Sequence, residues 1–137
     1  MANLPLHVPS ESSPAWAFRE HVIRFLATGD ETGGSYSAME ITSPQHTGAG
    51  PHVHELAEEH FLLLAGQVRF DVAEQSFLVE AGDFVHVPRG TVHHFTVITP
   101  EATMVATYSP AGEERALLDA VVPIAVTPAG EPGQQER

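Results

Sequence analysis

A chain of 137 residues with 42% hydrophobic and 18% charged residues has the make-up of one globular domain. Its 18 acidic against six basic residues give a formal net charge of −12, which argues against nucleic acid as a partner, because that affinity rests on basic patches. All six basic residues are arginine and cysteine is absent, which removes Schiff-base chemistry, thiol catalysis, disulfides and thiolate metal sites.

Residues 1–14 carry Pro5, Pro9 and Pro14 with three serines, the composition of an extended, loosely held arm. They lack the basic start and apolar middle of a secretory signal, and no apolar run approaches the ~20 residues of a membrane span. A soluble cytoplasmic protein without membrane association is therefore expected. His21–Thr28 (HVIRFLAT) reads as the first strand, 30–34 (DETGG) as a turn, and Ser35–Thr42 (SYSAMEIT) as the second strand. A loop rich in Gly and Pro then delivers the chain to His52.

The stretch Glu55–Ala65 (ELAEEHFLLLA) has the intrinsic propensity of a helix. Beyond it the chain reads as a rapid succession of short strands: Gln67–Ala73, Ser76–Glu80, Phe84–Val87, Val92–Ile98 and Ala102–Ser109. Such even spacing is that of an all-β sandwich or barrel, so 59–65 is read as a strand, with tertiary pairing overriding propensity. A single helix is expected at 112–122, with acids in its first turn and Pro123 to end it. The polar tail from residue 128 reads as disordered.

Nine histidines is a high count for this length. His7, His21 and His46 are scattered and carry no chemistry of their own. His52 and His54 stand two apart, so in an extended strand their imidazoles share a face. Glu59 and His93 can complete a set of three nitrogens and one carboxylate, a mix suited to divalent transition metals. Alternation from His93 puts Phe95 and Val97 on its side and His94 on the other. From Glu59 it puts Phe61 and Leu63 inside and His60, Leu62 and Leu64 outside. His60 and His94 thus read as groups behind the site or at the surface, and His86 as either barrel-lining or interfacial.

Competing motifs fit poorly. His54-Glu55 opens a zincin-like H-E-x-x-H, but position 58 is Glu and His60 lies six residues on, off the same helical face. No G-x-S-x-G elbow is present. The adjacent acids Glu58 and Glu59 read more simply as a solvated run than as a glycosidase pair.

His52-x-His54-x4-Glu59-x6-Gly66 and Gly82-x5-Pro88-x-Gly90-x2-His93 together resemble the two motifs of the cupin superfamily, G-x5-H-x-H-x3–4-E-x6-G and G-x5-P-x-G-x2-H-x3-N. The leading glycine falls at His46 and the final asparagine at Val97. The segments GDETGGSYSAMEIT, GDFVHVPRGTVHHF and TYSPAGEERALL are similar to small single-domain cupins of the quercetin 2,3-dioxygenase-like group.

The resemblance implies an all-β double-stranded β-helix (jelly-roll) barrel over residues 21–110. An N-terminal arm (1–20), a short C-terminal helix with its extension (111–127) and a tail (128–137) would flank it. It implies one divalent transition ion (Fe, Mn, Ni, Co, Cu or Zn) on His52, His54, Glu59 and His93, Glu59 doubling as a base, and no organic cofactor. Phe61, Phe95 and Phe84 are the expected pocket wall. The implied activity is a dioxygenase acting on a small aromatic or polyketide-like molecule. A redox-neutral cyclase or isomerase and a non-catalytic ligand-binding barrel use the same residues and stay open. A homodimer is expected from the family and from the outward Leu62 and Leu64, with the proline-rich arm crossing to its partner.

Overall fold

The structure, a computed structural model, describes residues 3–12 and 14–124. The expected tail and the end of the C-terminal extension lie outside the described residues. Residues 3–12 run without regular structure apart from one turn, closed by the Ser12 amide donating to the Pro9 carbonyl at 3.1 Å.

Among the described residues, ten strands form two antiparallel sheets. The larger contains β1 (Trp16–Phe18), β2 (His21–Ala27), β3 (Ser37–Pro44), β4 (Glu58–Ala65), β7 (Phe84–Val87), β9 (Glu101–Ser109) and β10 (Val122–Pro123), in the order β10-β1-β2-β3-β9-β4-β7. The smaller is β6-β5-β8, from β5 (Gln67–Val72), β6 (Gln75–Glu80) and β8 (His93–Val97). This is the jelly-roll arrangement the sequence implies. Alternation sorts each strand: along β9, Ala102, Met104, Ala106 and Tyr108 are buried and the residues between them are not. The inward residues of both sheets meet in one core around Phe61, Leu63, Val68, Phe70, Phe95 and Met104.

The Glu55–Ala65 segment becomes strand from Glu58, because β9 and β7 hydrogen-bond it on both edges. Central pairing satisfies the segment's backbone groups and gives Phe61 and Leu63 a core, which outweighs a helix propensity worth about tenths of a kcal/mol per residue.

Four elements depart from the sequence reading. β1 pairs with β2 through a tight turn at Arg19-Glu20, where Arg19 takes φ +54°. No glycine or asparagine marks that turn, so composition gives no hairpin signal there. The expected turn at 30–34 contains one helical turn, α1 (Gly29–Thr32), whose Glu31 carboxylate accepts from the Thr28 amide at 3.0 Å. The C-terminal helix α2 is shorter than expected, Glu114–Ala120, and β10 follows it back to β1.

Candidate metal centre

His52 and His54 precede β4, Glu59 lies on β4 and His93 begins β8. The loop between β3 and β4 is stitched to β8, with His46 N–H donating to Val97 O at 2.9 Å and Val97 N–H to Thr47 O at 2.9 Å. A reciprocal backbone pair then joins His52 and His93 at 3.1 and 3.0 Å. Gly48 sits so close to this strand that a Cβ there would lie 1.8 Å from the Phe95 carbonyl oxygen. The stitching fixes where both imidazoles of the His52–His54 pair enter the barrel.

All four side chains converge, with potential ligand atoms within 4.8 Å of one another. The ring centroids of His52 and His93 are 4.2 Å apart, and those of His52 and His54 4.8 Å. Each imidazole is held by the nitrogen that faces away from the centre. His52 Nδ1 lies 2.7 Å from Gly50 O, His93 Nδ1 2.9 Å from Thr91 O, and His54 Nδ1 3.1 Å from the Glu113 carboxylate. Carbonyl and carboxylate oxygens only accept, so each Nδ1 carries a proton. Without a cation His93 Nε2 donates to Glu59 Oε1, and a cation at the centre would leave each Nε2 its lone pair to offer inward.

Opposite them, Glu59 Oε1 is 3.0 Å from His93 Nε2 and 3.3 Å from His54 Nε2. Glu59 and His93 are only 4% and 2% exposed. His54 Nε2 is buried with no hydrogen-bond partner. Lone pairs aimed at a buried carboxylate repel unless a cation lies among them, so the donor set fits a divalent metal ion.

Electrostatics follow the same geometry. Burial pushes the Glu59 carboxyl up, but the His54 and His93 contacts outweigh it and hold it below the usual carboxylate range. Glu59, with Glu113 behind it, raises His54, whereas burial lowers His52. Burial, with Glu59 nearby, keeps the Tyr108 phenol protonated far above its ordinary range.

A cavity of about 320 Å³ opens onto this cluster, with His52, His54 and Glu59 at its foot. Its apolar wall includes Phe61, Phe95, Ile23, Ile41 and Leu117, and its rim carries Phe18, Arg19 and Glu113. Phe61 and Phe95 are braced by Phe70, with centroids at 4.8 and 5.6 Å.

Residues 39–108 match the family model described as Cupin domain. The chain belongs to the cupin family. Among curated proteins this cupin is 28% identical over 98 residues to quercetin 2,3-dioxygenase of Aspergillus japonicus, a match covering 66% of the chain. It is 30% identical over 87 residues, 64% of the chain, to the quercetin 2,3-dioxygenase of Bacillus subtilis. These matches span only 28% and 26% of those relatives' own lengths. Among solved structures it resembles an RmlC-like cupin from Shewanella frigidimarina, with a TM-score of 0.73 and 18% identity over 84% of this chain and 99% of that one.

Two placements correct the sequence reading. Phe84 is 62% exposed and does not line the cavity. It stands opposite Leu62 across β4 and β7, and cross-strand partners face the same side, here outward. His21, read as a bystander, is buried on the cavity wall with its Nδ1 2.7 Å from Ser43 Oγ. His60 and His86 lie outside the cavity, as does His94, which pairs with Asp71 at 3.1 Å.

Tyr108 and Glu113 escaped the sequence reading. Alternation along β9 places Tyr108 inward, where its ring meets His54 edge-on at 5.2 Å. Glu113 reaches His54 only because α2 folds back over the barrel mouth, and no local pattern announces that.

Proposed function

We propose that this cupin is a metal-dependent dioxygenase acting on a small aromatic or polyketide-like, flavonol-like molecule. One observation carries the reading. Three imidazoles, each anchored through Nδ1, present Nε2 beside a buried carboxylate at the foot of an aromatic-walled cavity. The likeness to two quercetin 2,3-dioxygenases supports the substrate class.

His52, His54, Glu59 and His93 would hold the ion, which would supply Lewis acidity toward a substrate oxygen and redox chemistry toward dioxygen. The chain's own groups do the rest. Phe61 and Phe95 give a planar ring an apolar surface, and the cavity volume falls within the range of small-molecule sites. Glu59, held ionised at neutral pH, is placed to take the proton of a substrate hydroxyl. Tyr108 stays a neutral phenol beside Glu59, a group able to donate a hydrogen bond and not to compete for that proton. Arg19 at the rim attracts an anionic substrate oxygen in a chain of strongly negative net charge.

Elemental analysis of the protein as isolated, followed by oxygen uptake with quercetin as probe, tests the reading. A stoichiometric redox-active metal and oxygen consumption that disappears in Glu59→Gln are expected. Stoichiometric zinc with no oxygen consumed would instead favour a redox-neutral cyclase or isomerase.

A further inference from the structure

Strand alternation that sends Glu59 into the barrel sends its neighbours Glu58 and His60 to the outer face of the same sheet. There His60 stands directly opposite His86 of β7. Glu58, two residues before His60, shares that face. These three form the second group, among the described residues, whose ligand atoms lie within 4.8 Å of one another. We propose that Glu58, His60 and His86 form a second binding site for a divalent first-row transition cation, on the outside of the barrel.

Both nitrogens converge on one oxygen. Glu58 Oε1 is 2.7 Å from His60 Nε2 and 3.6 Å from His86 Nδ1. The two rings run nearly parallel, 16° apart in plane with centroids at 5.4 Å, so their nitrogens open toward the same space. His60 is further held by stacking on Phe84, with centroids at 6.0 Å, and by Thr107 Oγ1 at 2.9 Å from Nδ1. The Glu58 carboxylate only accepts, so without an ion His60 Nε2–H donates to Oε1 and the Thr107 hydroxyl donates to Nδ1. An ion that displaces the Nε2 proton takes that lone pair, and the hydroxyl then accepts from Nδ1–H. Arg89 approaches only the other carboxylate oxygen, Oε2, at 3.9 Å, and leaves Oε1 facing the two imidazoles.

Two imidazoles and a carboxylate are ligands zinc, nickel and copper accept, and a cross-strand pair gives them a rigid base. Three protein ligands leave a fourth position toward solvent, since the His86 side chain is 51% exposed. The site shares no ligand with the inner cluster, because the strand separates their faces.

Equilibrium dialysis of the full chain against zinc, on wild type and three variants, tests the proposal. Wild type is expected to bind two ions per chain, and His86→Ala, at an exposed position, one. Thr107→Val keeps the shape of its side chain and loses only the hydroxyl that orients His60. It should weaken the outer ion by about tenfold. His93→Ala should lose only the inner ion. Unchanged stoichiometry and affinity in both His86→Ala and Thr107→Val would overturn the proposal. A single wild-type ion lost in His93→Ala and kept in His86→Ala would overturn it while leaving the inner centre standing. A single ion lost only in His86→Ala would support it and count against the inner centre.

Discussion

Each inward imidazole owes its orientation to one oxygen, and the three oxygens differ in kind. Gly50 and Thr91 supply carbonyls that no side-chain substitution removes, whereas His54 depends on the Glu113 carboxylate. Glu113→Ala should therefore weaken metal affinity by about tenfold or more, as loss of such supporting hydrogen bonds does elsewhere, with little change in fold. Calorimetric titration of the metal-free protein reads that change, and an unaltered affinity would show that His54 does not depend on Glu113. The four inward groups were legible in the sequence because an H-x-H pair and strand alternation specify faces locally. Glu113 was not, because its role is created by α2 closing over the barrel mouth. Phe84 was misplaced for a related reason: its outward direction follows from pairing with Leu62, which the sequence does not state. His46 shows the converse. The residue standing at the motif's leading glycine adopts φ +69°, the left-handed conformation glycine favours, so the departure is one of residue type and not of backbone.

Two contacts between elements hold the site in place. The loop between β3 and β4 lies against β8 at Gly48, where even a methyl group would collide with the Phe95 carbonyl. Gly48→Ala must push the loop off β8 and carry His52 with it. The expected cost is about 1–3 kcal/mol of stability, as for other overpacked positions, together with weaker metal binding. Thermal unfolding and metal titration of the variant check both, and wild-type values in each would show that the loop does not need β8 to place His52. The second contact joins the two helices. The buried Glu114 carboxylate accepts from Gly29 N–H at 2.9 Å and Gly112 N–H at 2.7 Å. Burial pushes this carboxyl up, yet the two amides outweigh it and hold it below the usual carboxylate range. A group whose folded pKa is depressed stabilises fully above its unfolded value and loses that contribution as pH falls through the folded one. Glu114→Gln should cost about 1–3 kcal/mol near neutral pH, and the gap to wild type should narrow below pH ~4.5. Urea unfolding across that range measures it, and a gap independent of pH would refute the link. The strand succession was legible because alternation and turn glycines recur from Gly66 onward. β1 and α1 were not, the first because Arg19-Glu20 makes a tight turn without turn residues, the second because one helical turn carries too few residues for a pattern.

At the scale of the whole molecule, two sheets and α2 enclose a cavity whose foot is the inward cluster. No helix among the described residues is long and apolar enough to cross a membrane. The barrel's logic is a division of faces: Glu59, Phe61 and Leu63 of β4 line the interior, and the residues between them look outward. That division lets one strand contribute Glu59 to an enclosed centre and Glu58 and His60 to an open one. Family membership and fold follow from the match over residues 39–108 and the jelly-roll neighbours. The proposed reaction depends on what the inward cluster holds. An anomalous-difference map from a crystal of the metal-loaded protein, collected at the edge of the added metal, tests this directly. A peak is predicted about 2.0–2.2 Å from the Nε2 atoms of His52, His54 and His93 and from a Glu59 carboxylate oxygen. An empty inner cluster in metal-loaded crystals would contradict it.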